Sequence, residues 1–207
     1  MEKIFTPIEV WFGGYFELAI DLGRQIGNDA FNTVLTSIWS LPNLEGPYTD
    51  LQMEPLVQRK VTARVEQGEH LRGVLIVDGH QLACGTWWVS DDFQGLDIVA
   101  FYVPIGSIER VLGKAAMPTG PIGPELTSIV SLFHKVATMV WESYKFRIAL
   151  VGHEVSADAN ADTITPEGLH FPIYEAILPV THRLAGLIGG TSLGEDLICH
   201  AVHIDNG

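Results

Sequence analysis

The chain has 207 residues, of which 47% are apolar and 18% charged, and its 25 acidic and 12 basic side chains leave a formal net charge of −13. Phosphate contact needs clustered Lys and Arg, but the only adjacent basic pair here is Arg59-Lys60, which argues against binding nucleic acid or an anionic membrane surface. No apolar run approaches the roughly 18 residues of a membrane span, and the N-terminus has no basic leader, so a cytoplasmic protein is expected.

A chain of this length can bury a core without staples, and a single α+β domain spanning 1–207 is expected. The two cysteines, Cys84 and Cys199, stand in apolar settings and read as buried free thiols. The low charge density leaves more apolar side chain than one core needs, and a homodimer would bury the surplus.

In chain order, residues 8–22 read as a hairpin: Ile8 to Phe12, a Gly13-Gly14 turn, then Tyr15 to Leu22. On that second strand, Phe16, Leu18, Ile20 and Leu22 share a core face. Tyr15, Glu17, Ala19 and Asp21 share the other, which is either solvated, the favoured reading, or lines a site where paired carboxylates could do acid–base work. Residues 28–41 carry an apolar stripe of Phe31, Val34, Leu35, Ile38 and Leu41 at helical spacing, capped by Gly27 or Asn28 and stopped by Pro42. Val57 to Val65 alternates like a strand. Val74 to Val77 and Gln81 to Val89 flank an Asp78-Gly79 turn, and Leu96 to Val103 follows as a third antiparallel strand.

A Gly/Pro-punctuated connection, Gly113 to Gly123, leads to the strongest helix, 124–144, with Leu126, Ile129, Phe133, Val136, Val140 and Tyr144 in register. Phe146 to Val155 is an apolar strand, Ser156 to His170 a long loop of small residues, and Asp196 to Ile204 a final strand. The sum is an α+β fold: a mainly antiparallel sheet, with room for mixed pairing, and two main helices packed on it. A faint echo between Trp11–Gly23 and Trp88–Gly106 hints at a weak internal duplication, roughly 1–80 and 81–207.

No dinucleotide fingerprint, phosphate loop, zinc-protease helix, nucleophile elbow or Cys-x-x-Cys redox pair is read, so no cofactor is assigned and the catalytic residues are unknown. Cys199, His200 and His203 look like a metal cluster. On a strand, however, Cys199 and His203 stand ~13 Å apart and His200 faces the other way, so no metal site is assigned. Asp158-Ala-Asn160-Ala-Asp162 lacks the glycine and distal glutamate of a calcium loop. The weak binding candidates are Trp87 and Trp88, one of which must leave the core face, together with Arg147, His153 and Glu154 around the strand 146–155.

Two functions follow. The first is a non-enzymatic acidic protein that binds a basic protein partner, the physical type of an immunity protein or antitoxin. The alternative is a small-molecule-binding protein or enzyme with a pocket at the end of strand 146–155. Whether the chain is an enzyme is left open. The charge excess predicts that the melting temperature rises as sodium chloride goes from low to ~0.15 M, because salt screens repulsion over ~8–10 Å. A melting temperature that falls steadily would show that attractive pairs outweigh the repulsion.

Overall fold

Ten residues after Gly14, alternating between two faces as far as a bulge between Asp21 and Gly23, form the strand from which the sheet grows in both directions. In the computed structural model, residues 3–64, 69–91, 95–113 and 123–202 are described. The strands are β1 (Tyr15–Arg24), β2 (Leu44–Tyr48), β3 (His70–Val77), β4 (His80–Asp91), β5 (Leu96–Pro104), β6 (Ile148–His153), β7 (Ile173–Pro179), β8 (Thr191–Ser192) and β9 (Leu197–Ala201). They pair in the order β2-β3-β4-β5-β1-β6-β7-β9-β8, and each of these pairings is antiparallel. The helices are α1 (Gly27–Trp39), α2 (Ile105–Leu112), α3 (Thr127–Ser143) and the single turn α4 (Ala185–Ile188). The mainly antiparallel α+β fold is therefore present, with α1 and α3 close to their expected ranges. None of the described helices is long and apolar enough to cross a membrane.

One sheet face carries the main core. Phe16, Leu18 and Ile20 of β1 lie beside Val103, Phe101 and Val99 of β5 and opposite Val151 and Ala149 of β6. The apolar stripes of α1 and α3 close over them, with Phe31, Leu35 and Ile38 from the first and Phe133, Val136 and Val140 from the second fully buried. Phe133 meets both Phe16 and Phe101 at ring-centroid distances of 5.4 and 5.7 Å. Cys84 and Cys199 are both free and buried on this side.

The opposite face is covered in two separate patches. Phe5, Val10 and Tyr48 pack over Val74 and Ala83 at one end. At the other, Val155, Ala159, Ile164 and Leu184 pack over Ala19, Leu150 and Ala176. Between the patches the face is only partly covered.

Local expectations fail where tertiary partners intervene. Ile8–Trp11 is a 3-10 turn, not a strand. The expected hairpin partner β1 already pairs with β5 on one edge and β6 on the other, and the neighbours of the turn bond to the start of α2 instead, with Ile105 N–H donating to Gly14 O and Gly106 N–H to Phe12 O. Val57 ends another 3-10 turn, Pro55–Val57, and residues 58–64 are not strand. Neither Gly27 nor Asn28 caps α1. Both lie inside it, and Asp97 Oδ2 accepts from Ile26 N–H at 2.8 Å instead. Pro124 opens a 3-10 turn ahead of α3 rather than the helix itself. Most of Gly113 to Gly123, Val65, and His203 with Ile204 lie outside the described residues.

Because Phe133 is fully enclosed by both helices' stripe and the sheet, Phe133→Ala should destabilise the fold by roughly 3–5 kcal/mol. A urea midpoint equal to the parent's would show that this register of α3 is wrong.

Candidate functional site

The face expected to be solvated carries the least ordinary chemistry. Glu17 and Asp21 are 1% and 0% exposed. Glu17 and Asp21 do not meet water, because the loop after β6 folds back over them. Glu17 Oε1 accepts from Ser156 N–H at 2.6 Å, and Asp21 Oδ2 accepts from Ala161 N–H at 3.0 Å. Asp21 also accepts from Gly23 N–H at 2.8 Å and has Arg147 Nη1 at 3.6 Å. Arg147 and Arg24 in turn hold Asp162, and their hydrogen bonds keep its carboxyl below the usual range. Burial pushes Glu17 up to about 7, against the pull of hydrogen bonds from Ser156. Burial likewise raises Asp21, opposed by its backbone donors and Arg147.

Glu17 also belongs to a row across the sheet. Arg72, Gly85, Tyr102 and Glu17 are successive partners on β3, β4, β5 and β1. Gly85 leaves the space that the Tyr102 phenol occupies, since a Cβ there would collide with its oxygen. Alongside runs a ribbon of aromatic rings. Trp87 lies 5.0 Å from His70, His70 5.8 Å from Tyr102, and Tyr102 4.5 Å from Tyr15. Burial, helped by the Arg72 charge, holds His70 below its ordinary value. His70 Nδ1 and the Tyr102 hydroxyl share a hydrogen bond of 3.0 Å. Burial raises both Tyr102 and Tyr15, so both phenols keep their protons.

Trp87, His70, Arg72 and Tyr15 are all half-buried, forming a polar shelf between the two covering patches. Two of its donors stand out: Trp87 Nε1 and Arg72 Nε are buried and have no hydrogen-bond partner. Buried donors are nearly always satisfied in folded proteins, so each such exception marks a place where an acceptor is missing.

The sequence candidates divide. Trp87 lies on the shelf. Glu154 reaches its rim, where its charge raises Tyr15 and Glu17, and it takes a left-handed φ of 54°. Gly14 makes that approach possible: its own φ is +80°, and a Cβ would come within 2.6 Å of Glu154 Oε1. His153 comes to the same point, its Nε2 3.2 Å from Gly13 O and 2.8 Å from where a Gly14 Cβ would stand. Trp88 is a core residue, stacked on Phe31 at 4.3 Å and donating to Asp97 Oδ1 at 2.9 Å. Arg147 lies at the far end of β6, beside a cleft of about 440 Å³ with Trp141, Asp162, His182 and Arg183. A cleft of about 570 Å³ between the N-terminal turn and α2 involves Glu9, Phe12, Glu109 and Arg110, none of them a sequence candidate. His70, Arg72 and Tyr102 were missed, since each looks like an ordinary strand residue until pairing aligns them.

Gly190-Thr191-Ser192-Leu193-Gly194 does match the letters of a nucleophile elbow. An elbow sits between a strand and a helix, whereas Ser192 lies on the exposed edge strand β8, its hydroxyl donating to Gly194 O. It therefore lacks the elbow's context. Cys199 also has metal-ligating neighbours, though not those adjacent in sequence: His134 and Glu175 meet it beneath α3.

Protein-family models, curated proteins and solved structures yield no match to this chain.

The raised Glu17 carboxyl fixes a sign. Its ordinary value is 4.5 and its folded value about 7. In that window the folded chain keeps a proton that the unfolded chain has lost, so stability falls as pH rises through it, by roughly 3 kcal/mol at most. Asp21 acts in the same direction. Glu17→Gln should flatten the urea-midpoint profile between pH 5 and 8. An unchanged slope would remove Glu17 as its source.

Proposed function

We propose that this protein binds a small planar ligand bearing a carbonyl or carboxylate oxygen, held on the shelf formed by Tyr15, His70, Arg72, Trp87 and Tyr102. The observation that carries this reading is the pair of buried donors, Trp87 Nε1 and Arg72 Nε, without an acceptor on the protein. Half-buried rings supply stacking area, and a guanidinium and an indole N–H on the adjacent strands β3 and β4 supply directed donors for an oxygen. Glu17 and Glu154 border the same row and disfavour a ligand with multiple negative charges. This is the small-molecule reading of the strand-end region, shifted from the β6 terminus onto the β3-β4-β5-β1 face. Two free thiols suit the reducing cytosol in which such a protein would work.

The test is titration with a panel of aromatic carboxylates and amides, followed by the indole N–H resonance of Trp87 assigned through Trp87→Phe. Trp87→Phe keeps a ring but removes the donor, and Arg72→Lys removes the planar fork. Each should weaken a binder about tenfold, the size of one directed hydrogen bond. A panel that leaves the Trp87 resonance unmoved at millimolar concentration rejects the reading, as does equal binding by both variants.

A second reading, association through protein contact, is favoured by apolar exposure at the N-terminal end. Ile8 and Phe12 are 69% and 59% exposed, and Leu56 and Val57 are 71% and 68% exposed. The segments meet where the Glu54 carboxylate accepts from the backbone N–H groups of Ile4, Phe5 and Thr6. A second copy of the chain is the occupant proposed; a basic protein is the other, suggested by the net charge of −13. Sedimentation of the parent and Leu56→Glu decides between association and a monomer. A monomeric parent removes the homodimer.

A further inference from the structure

Three side chains distant in sequence converge beneath α3. His134 lies midway along α3, Glu175 is on β7 and Cys199 on β9. β7 and β9 pair with Ile177 opposite Cys199 and Glu175 opposite Ala201, so Glu175 and Cys199 are diagonal neighbours on the helix-covered face. His134 comes down onto both. Its Nε2 lies 2.5 Å from Glu175 Oε2 and 3.6 Å from Cys199 Sγ, and Sγ lies 3.5 Å from the same carboxylate oxygen.

This is not a nucleophile's arrangement. A Cys–His–acid relay places the thiol on one ring nitrogen and the acid on the other, so that a proton passes through the ring. Here the thiol and the carboxylate share one nitrogen, Nε2. The three donor atoms face one point instead of forming a line.

A single point shared by nitrogen, oxygen and sulfur is what a metal ion requires. With Zn–S of about 2.3 Å and Zn–N and Zn–O of about 2.0–2.1 Å, a tetrahedron has S–N and S–O edges of about 3.5 Å. The observed edges are 3.6 and 3.5 Å. Only the N–O edge is short, at the length of a hydrogen bond, and it needs to open by about 0.8 Å to reach its tetrahedral value. The charges match as well: a thiolate and a carboxylate neutralise a divalent cation, which favours a partly buried site. The donor set is too soft for magnesium or calcium. The His134 and Glu175 side chains are 25% and 14% exposed, so a fourth corner can be reached by water.

We propose that His134, Glu175 and Cys199 form a binding site for a single zinc-class divalent ion, with water as the fourth ligand. The site is on the opposite sheet face from the shelf and does not depend on the ligand proposed there.

The test uses the full chain, purified with chelator under reducing conditions and then titrated with zinc chloride by calorimetry and with cobalt chloride by absorption. The expected result is one equivalent of zinc and, with cobalt, a near-ultraviolet thiolate-to-metal band with the visible intensity of a four-coordinate ion. Cys199→Ser should abolish the charge-transfer band, and His134→Gln and Glu175→Gln should each weaken zinc at least tenfold. Trp87→Phe, which disables the shelf, should bind zinc like the parent. Circular dichroism checks that each variant is folded. The parent alone can overturn the proposal: no saturable binding below ~100 μM metal, or saturation without a thiolate band, means these side chains form only an internal hydrogen-bonded cluster. A band that survives Cys199→Ser assigns the metal to Cys84 or elsewhere and overturns it equally.

Discussion

Two carboxylates on one strand hold the backbone of a distant loop, and much of the open sheet face takes its shape from that grip. Glu17 and Asp21 stand on the same side of β1 and accept from Ser156 and Ala161 N–H respectively. Loop backbone laid over a sheet must find acceptors for its N–H groups. Once captured, the loop brings Val155, Ala159 and Ile164 down as a second small core over Ala19 and Leu150. Burial raises both carboxyls, so each is a buried polar group satisfied by donors rather than an ordinary surface acid. Arg147 completes the fastening by lying against both Asp21 and Asp162.

The same grip limits how far the open face is covered. The loop covers the β1-β6-β7 side, and the N-terminal segment covers β3 and β4 near Val74 and Ala83. Arg72, Trp87 and His70 are left between them, half-buried on a face that is neither core nor free surface. A row of strand partners there runs from a guanidinium through a phenol to a carboxylate that holds its proton near neutral pH. The loop that covers Glu17 is fastened by that same carboxylate. The helix-covered face shows a different use of polarity: at the β7-β9 side, where α3 passes over the sheet, an imidazole, a carboxylate and a thiol replace apolar packing.

Much of the scaffold was legible because its signals are local. The period-two alternation of Tyr15 to Leu22, the Asp78-Gly79 turn and the apolar stripe of α3 each depend on residues close in sequence. The free, buried state of the two cysteines was also readable from their apolar neighbours. The failures share a cause. Ile8 to Phe12 alternates like a strand but is held by α2, and residues 58–64 alternate likewise yet stay outside the sheet, with Val61 N–H donating to Pro47 O of the edge strand β2. Glu17 and Asp21 read as solvated because the loop that buries them lies some 140 positions away, at Ser156 and Ala161.

By itself, the sequence determined the α+β class, the positions of α1 and α3, the core face of β1 and an acidic chain poor in clustered bases. Those properties follow from backbone periodicity and summed charge, which need no knowledge of contacts. The tertiary structure alone decided which of two adjacent tryptophans faces the shelf, that Arg72 and Tyr102 share a row with Glu17, and that Cys199 meets His134 and Glu175 instead of its sequence neighbours. These depend on strand register and helix placement, set by the packing of the whole chain, and register moves side chains between faces without changing any local pattern.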